Sequence, residues 1–446
     1  ELAKALQNPA VIGYRLRMID AGREQEGCTY VPRLFRNAPG LFFVGRIHEQ
    51  IFSSVEVRRQ EWGLENRLSE VTLRHHGYTA EVTRDRDKIA RNLRLLELAI
   101  EEMPNEPNLL MNFGLELARA GQLEAGLEQY LEAFHALSAL PAQQIVPELR
   151  ETLLTQLCTH LMAARRHEEI VQMLRSPLAK TAPLTASMHF ALGLALMELK
   201  QPLDAAEQFK LCLQKRDQPA LSPVNADIRK AGPRHCLALC LAAAKRLPDA
   251  EQVFQEALMD DPHSRPLRVD YARFLFERER PVDALKLLNQ LVAENANDVP
   301  VWQFGGHIAL SQPQFAEFAN DWTGEAHKLH PGDAVIRQQR AEALLLAQKP
   351  AEALGLWESS PASTRSLAGR LHCELLANGA IHTRTILDET AVSQEFLKWY
   401  RRLINAGATD AIRQTNRLVA SLETALPSAA RALAAALREA DTAAPK

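Results

Sequence analysis

The chain lacks any window of the ~18 to 20 consecutive apolar residues that a membrane-spanning helix needs, so no membrane span is expected. It also lacks a CxxC pair. Its six cysteines, at 28, 158, 212, 236, 240 and 373, are irregularly spaced, which suits free thiols in a reducing cytoplasm better than a disulfide framework. Charge of one sign is missing too: 52 basic residues face 55 acidic ones, for a net charge of −3. That balance excludes a nucleic-acid binder built on a large phosphate-neutralising surface, and leaves a local basic pocket open. No aromatic–basic platform for single strands is present, and the opening residues carry no signal-peptide pattern. The expected protein is cytoplasmic and binds no nucleic acid.

What is present is an ordinary globular composition, 46% hydrophobic and 24% charged over 446 residues. That length holds two or three domains, or one long repeat array. His235, Cys236 and Cys240 crowd one helical stretch, with Cys236 and Cys240 on a shared face. Small buried cysteines of a packed helix are the default reading there, and a metal site is the alternative.

Two regions differ in pattern. Residues 1–82 mix short strand signals with turns. Leu41-Phe42-Phe43-Val44, bounded by Pro39-Gly40 and Gly45, predicts a buried strand. From Val71 to His75, apolar and polar residues alternate, with Val71, Leu73 and His75 on one face. Asp20–Gly27 is polar and turn-like, and Arg58–Asn66 is expected to be a charged connection. At Asp85, a plausible cap, helical spacing takes over with Ile89, Leu93, Leu96 and Ile100, and Met103-Pro104 is the stop.

Beyond that helix a repeat sets in. Gly126, Ala205, Ala250, Ala284 and Ala353 align as small residues in the second helix of successive pairs. Twelve residues earlier lie Gly114, Gly193, Ala238, Ala272 and Ala341; four residues later lie Tyr130, Phe209, Phe254, Leu288 and Trp357. Small residues let paired helices approach closely, and the large one fills the groove between neighbours. This resembles the tetratricopeptide pattern, whose period is about 34 residues. Degenerate units are expected around Glu148–Leu178 and Trp302–Leu329. Trp302, Trp322 and Trp357 are expected to be packing residues. Past Pro361 the repeat fades into amphipathic stretches, Phe396–Ile404, Ala411–Leu422 and Ser428–Ala440, which read as helices capping the stack.

The opening motifs, Pro32-Arg33-Leu34-Phe35-Arg36-Asn37, Gly45-Arg46-Ile47-His48-Glu49, His75-His76-Gly77-Tyr78 and Lys88-Ile89-Ala90-Arg91-Asn92-Leu93, form a linked series. As a set they resemble the second half of the catalytic domain in bacterial family-two glycosyltransferases that carry C-terminal tetratricopeptide repeats. The resemblance covers about residues 28–103 closely and the repeats in architecture. It implies a GT-A type α/β fold, a nucleotide-sugar donor and a divalent metal, Mn or Mg. In that family an Asp-x-Asp pair in the N-terminal half holds the metal; no such pair precedes Cys28 here. The chain also opens on Glu1-Leu2-Ala3-Lys4 without an initiator Met. It is therefore read as a fragment that lacks the N-terminal nucleotide-binding half and is inactive alone; a processed start would look the same.

Transfer from a nucleotide sugar needs a Lewis acid or its equivalent for the leaving diphosphate and a base for the acceptor proton. In α/β sheets such groups collect at the carboxyl ends of strands. With the resemblance, His48 and Glu49 are the candidate catalytic residues and His75 a candidate metal ligand. Arg46, Lys88 and Arg91 are candidates for the donor diphosphate, the last two at a helix N-terminus that favours anions. Each has a structural alternative: a hydrogen-bonded strand-end histidine, a Glu49 ion pair with Arg46 or Arg33, a solvated helix face.

The expected fold class is mainly α, a tetratricopeptide-repeat superhelix preceded by a partial α/β segment. Residues 1–104 would be the GT-A-like portion, 105–360 the superhelix, 361–441 the capping helices and 442–446 a disordered tail. The expected function is glycosyl transfer to an unknown acceptor, with a protein or glycan acceptor held in the repeat groove. The alternative is a non-catalytic protein-interaction adaptor.

Overall fold

In a computed structural model of the chain, the described residues are 8–21, 28–43, 51–75, 86–222, 224–383, 388–405 and 419–433. They divide into two compact units, Glu1–Ser264 and Arg265–Lys446.

The first unit opens on a sheet. Ile12, Tyr14, Leu16 and Met18 alternate with more polar neighbours, the period of a half-buried strand, and β1 runs Val11–Asp20. It pairs antiparallel with β2 (Thr29–Phe35) and parallel with β3 (Glu65–His75), giving the order β2-β1-β3. The connection that carries the chain from β2 past β1 to β3 holds helix α1 (Phe52–Trp62), which ends on Gly63 in the left-handed conformation, φ 63°. Ile12, Ile51 and Val55 form the small core beneath the sheet, with Phe35, Leu41 and Leu64 against it.

Two local expectations do not hold. Residues 41–43 are not a strand: Phe42 and Phe43 are exposed, and the Phe42 amide and carbonyl both bond the Ser54 hydroxyl at 3.1 and 2.8 Å. The serine on α1 satisfies the backbone groups that a neighbouring strand would otherwise have taken. Nor is Arg58–Asn66 a connection, since α1 and the start of β3 occupy it. Its charges pair along the helix instead, Arg59 with Glu56 and Arg58 with Glu61.

The sheet is tied to the helices that come after it. Arg15 of β1 forms an ion pair with Glu148, their side chains only 12% and 7% exposed. Gln60 of α1 donates to the Gln143 carbonyl at 3.1 Å.

Helix α2 (Arg86–Glu102) leads into helix pairs. In the first unit these are α3 (Pro107–Arg119) with α4 (Leu123–Ser138), α5 (Pro147–Ala163) with α6 (His167–Leu174), α7 (Ala186–Glu198) with α8 (Pro202–Lys215), and α9 (Gly232–Ala243) with α10 (Leu247–Asp260). In the second unit they are α11 (Arg265–Glu277) with α12 (Pro281–Glu294), α13 (Val299–Ser311) with α14 (Ala316–Leu329), and α15 (Ala334–Leu346) with α16 (Pro350–Glu358).

The small–large set does what its spacing implies. Ala205, Ala238, Ala250, Ala272, Ala284, Ala341 and Ala353 are fully buried, as are Tyr130, Phe209, Phe254 and Leu288, with Trp357 at 2%. At Gly114 a Cβ would lie 2.7 Å from the Gly126 carbonyl, and at Gly193 it would lie 2.7 Å from the Phe209 ring. Trp302 and Trp322 are buried, their ring centroids 4.7 Å apart.

Within six of these pairs the turn is the same. One residue takes a left-handed conformation: Gly121, Arg165, Lys200, Lys245, Glu279 or Gln348. The next amide reaches back into the last turn of the helix, as Gln122 to Leu117 and Lys349 to Leu344 do at 2.9 and 2.8 Å. This closes orphan carbonyls in the manner of a Schellman motif. The pair α13–α14 departs from it, with Pro313–Phe315 forming a 3-10 turn instead.

The second unit ends with α17 (Thr364–Asn378), α18 (Glu389–Asn405), α19 (Val419–Ala425) and helical residues 427–433. Leu371, Leu375, Phe396, Leu422, Leu426 and Leu433 share one core. The described part of the expected capping stretches thus packs on α17, the helix after the last repeat pair. Residues 411–418, 434–440 and the 442–446 tail lie outside the described residues.

Candidate functional site

Of the residues expected at a catalytic rim, Arg46, His48 and Glu49 lie outside the described residues, as does Asp85 of the expected helix cap. His75 ends β3, and the parallel register sets it beside Asp20 at the end of β1. Lys88 and Arg91 are exposed near the start of α2, Arg91 donating to the Asn92 side chain at 3.2 Å. Among the described residues no group of three or more His, Cys, Asp and Glu side chains converges as a metal site. At the alternative site, burial pushes the Cys240 thiol up to about 12, which opposes the thiolate a metal would need.

The most distinctive polar surface lies elsewhere, on the first helices of the second unit. A cavity of about 320 Å³ is lined by Arg273 of α11, Gln303, Phe304 and His307 of α13, Glu342 of α15, Arg365 of α17 and Arg402 of α18. A second, of about 620 Å³, shares His307, Arg365 and Arg402 and adds Glu395, Lys398 and Trp399. Together they form a groove running across the first helices of three consecutive pairs, then α17 and α18.

Its construction comes from the repeat. Arg273, His307 and Glu342 each stand one position after a small residue of the first helix, Ala272, Gly306 and Ala341. The small residue sits in the packed interface between helices, and a step of about 100° turns its successor into the groove. In α13 two glycines share that interface: a Cβ at Gly305 would meet the Trp322 indole, and one at Gly306 would meet Gln339 of α15. At the same place in the first unit, after Gly114, Gly193 and Ala238, stand Leu115, Leu194 and Leu239, all half-buried. The groove-facing position is therefore apolar in three pairs of one unit and ionisable in three pairs of the other.

Aromatic rings hold the cations in place. The Arg273 guanidinium lies 5.7 Å from the Phe304 centroid, and that of Arg402 lies 5.0 Å from Trp399. Phe276 packs edge-on against both Phe304 and His307. Glu342 is fully buried and takes a hydrogen bond from Arg365, while its Oε2 atom has no hydrogen-bond partner. Arg402 stands 3.5 Å from that oxygen. Burial pushes the Glu342 carboxyl up to about 7, against the pull of Arg365 and Arg402. His307 is held below its ordinary value by burial and by the same two arginines. Lys398 is paired with Glu395 on its own helix. Arg365 and Arg402 thus face a single buried carboxylate, with Arg273 on the wall of the same cavity, on a chain whose net charge is −3. No motif pointed to this groove. The signal was the identity of the residue after each small one.

Residues 241–304 match the family model described as tetratricopeptide repeat. Comparison with curated proteins gives no match. Among solved structures the chain is similar to YrrB, described as a TPR protein with an unusual peptide-binding site, at 18% identity over 47% of this chain and 96% of that one, TM-score 0.36. It is similar to a tetratricopeptide repeat protein from Parabacteroides merdae at 14% identity, over 61% and 96% of the two chains, TM-score 0.40. Yeast Tom70 matches at 15% identity over 77% of this chain and 64% of that one, TM-score 0.35. At these identities and scores nothing about partners passes to this chain. The family model places tetratricopeptide repeat at residues 241–304, and none of the matches named above is described as a glycosyltransferase.

Proposed function

We propose that this protein is a tetratricopeptide-repeat scaffold that binds an extended segment of a partner polypeptide along the groove of residues 265–446. The observation that carries the reading is the row Arg273, His307, Glu342: side chains at one offset in three successive pairs, all lining one cavity. A periodic row of donors and charges suits a ligand that is itself extended and periodic. Among the described residues no helix is long and apolar enough to cross a membrane. The test is a peptide array probed with the whole chain and with a Gln303→Ala/Gln338→Ala variant, both residues on the groove wall. Selective peptide binding that the variant loses supports the reading. Absence of any binding, or binding indifferent to the groove, refutes it.

One observation favours a second reading, glycosyl transfer when the rest of a catalytic domain is supplied. The small mixed sheet β2-β1-β3, with its parallel β1–β3 pair and helix α1, overlaps the segment that carries the resemblance and supports this reading. On this reading His48 and Glu49 act at the acceptor, and Arg46, Lys88 and Arg91 at the donor diphosphate. His75 would be a ligand of the Mn or Mg ion. The described residues offer that ion one imidazole position beside one aspartate position, short of the oxygen-rich octahedral set it takes, so no step is derived through it. Screening sugar nucleotides against the longest natural reading frame tests this. Transfer abolished by His48→Ala supports it, and undiminished transfer in that variant removes the histidine from the chemistry. A glycan acceptor in the groove belongs to this reading alone.

A further inference from the structure

Glu342 is out of place for a helix packed on its neighbours. It is 0% exposed, and leucine fills the equivalent position in three pairs of the first unit. Burying a carboxylate is costly unless every lone pair is satisfied, yet here one oxygen takes no hydrogen bond. Its two cations are the reverse: the side chains of Arg365 and Arg402 are 47% and 41% exposed, opening into the two adjoining cavities. A guanidinium offers five donors in a planar fork matched to carboxylates. Arg365 spends donors on Glu342, and Arg402 engages it only at 3.5 Å. A poorly satisfied internal carboxylate is thus holding two half-free arginines at the floor of a groove.

We propose that the groove's ligand is an acidic polypeptide segment, and that one of its carboxylates takes Arg365 and Arg402 over from Glu342, which takes up one proton as it is displaced. This rests on the scaffold reading above and adds the chemistry of the partner. Charge complementarity carries it. Of the groups around Glu342, Lys398 is neutralised by Glu395, whose own charge disfavours the ionised Glu342, and His307 is uncharged near neutrality. Arg273, further along the groove, is balanced by Asp270, so Arg365 and Arg402 against the one carboxylate leave the excess positive charge. Asp270 of α11 lies 3.7 Å from Arg273. Two carboxylates cannot share the arginines cheaply, because like charges in one desolvated site disfavour each other's ionised form. Since Glu342 already titrates near neutral pH, protonation is the low-cost way for it to yield.

Linkage sets the sign. If the complex holds one proton more than the free components, affinity falls as pH rises through the titration of Glu342. Between pH 6 and pH 8 the expected loss is on the order of tenfold. The peptide's own carboxylates, with ordinary values near 4.3, stay ionised throughout.

The experiment measures binding of a fluorescent hexaglutamate peptide to the whole chain by anisotropy at pH 6, 7 and 8. A hexalysine peptide and a single-stranded oligonucleotide of equal charge serve as comparisons. The expected result is binding of hexaglutamate alone, weakening about tenfold across the range. Glu342→Gln, which mimics the protonated form, should bind tightly at pH 8 and lose the pH dependence. Arg402→Gln leaves Glu342 less compensated and can harm the fold, so Glu342→Gln/Arg402→Gln, which buries no unpaired charge, is the informative variant. It should bind at least tenfold more weakly than Glu342→Gln.

The proposal is overturned if hexalysine or the oligonucleotide binds as well as hexaglutamate. It is also overturned if Glu342→Gln keeps the wild-type pH dependence, or if His307→Gln abolishes it. Should array peptides bind the groove without any acidic preference, the scaffold reading stands and this inference fails. If no peptide of any composition binds, both fall.

Discussion

The close helix approach behind the repeats can be tested with one chemical change made at two places. Gly369 lies in α17, where an added Cβ would sit 2.3 Å from Cε2 of Trp357 and within 2.7 Å of two further indole atoms. That indole cannot give way easily: it is 2% exposed and packed edge-on against Trp399, with ring centroids 6.2 Å apart. Overpacking of this kind costs about 1–3 kcal/mol, occasionally more. Against it stands the gain of up to about 1 kcal/mol when Ala replaces Gly inside a helix. Because the indole is fixed, the cost falls in the upper part of that range, about 2–3 kcal/mol, and Gly369→Ala should be net destabilising by about 1–2 kcal/mol. Gly355, in α16, has nothing within 4 Å of the same added atom, so Gly355→Ala should be stabilising by up to about 1 kcal/mol. Urea titrations followed by far-ultraviolet circular dichroism read both. Repeat arrays need not unfold in one step, so the comparison is of transition midpoints at the second unit rather than of one global free energy. Equal midpoints for Gly369→Ala and wild type would show that α16 and α17 do not approach as closely as described.

Three further outcomes are expected. Arg15→Leu strands the buried Glu148 carboxylate and should cost about 3–5 kcal/mol near neutral pH; the deficit should shrink towards pH 5, because burial already raises that carboxyl and its protonated form needs no cation. Urea midpoints at the two pH values check this, and Arg15→Leu/Glu148→Gln should recover much of the loss. His372 stacks on Phe396 at 3.6 Å, donates to its carbonyl at 2.8 Å, and is held down to about 4 by burial. An unfolded histidine titrates near 6.5, so stability is full above that value and is lost as pH falls through 4, by about 3 kcal/mol in all; melting curves of wild type and His372→Gln should converge over this window. Ser54→Ala removes the hydroxyl that closes the Phe42 backbone and should cost about 0.5–1.5 kcal/mol, the net worth of an ordinary hydrogen bond, since water reaches the exposed Phe42; it is seen as a lower thermal midpoint of the first unit.

The helix pairs were legible because their packing demands residue sizes at fixed separations. Nothing but a small side chain fits at Gly114 against the Gly126 carbonyl, and Tyr130 must fill what remains. The turns inside the pairs were not legible. Arg165, Lys200, Lys245, Glu279 and Gln348 hold the left-handed position where glycine is the recognised signal, because the hydrogen bond back into the helix compensates for the strain. In the opening segment the alternation Ile12, Tyr14, Leu16, Met18 marks β1 clearly. Leu41–Phe43 misleads: its apolar run resembles a buried strand, yet an extended run becomes a strand only where a neighbour supplies hydrogen bonds, and Ser54 supplies them first. Helix α1 escaped notice because it buries only Phe52, Val55 and a few small or paired polar residues, too short an apolar face to stand out among its charges.

The groove raises a different issue. In a helix pair the small residue and its successor answer to separate constraints, since a turn of about 100° points one into the packed interface and the other away from it. Packing dictates glycine or alanine at 114, 193, 238, 272, 306 and 341, while the fold leaves the identity of the succeeding residue open. Leucine there helps cover the pair, as Leu115, Leu194 and Leu239 do while remaining half-buried. Replacing it with arginine, histidine or glutamate gives up apolar burial, worth about 25 cal/mol for each Å², and at Glu342 adds the desolvation of a charge. A repeat under selection for stability alone would have no reason to make that exchange in three consecutive pairs. The pair α13–α14 also departs from the common turn, and its first helix contributes five lining residues to the same groove, among them Gln303, Phe304 and His307. Departures from the local rule that converge on one cavity are the pattern expected where function, rather than folding, has set the residue.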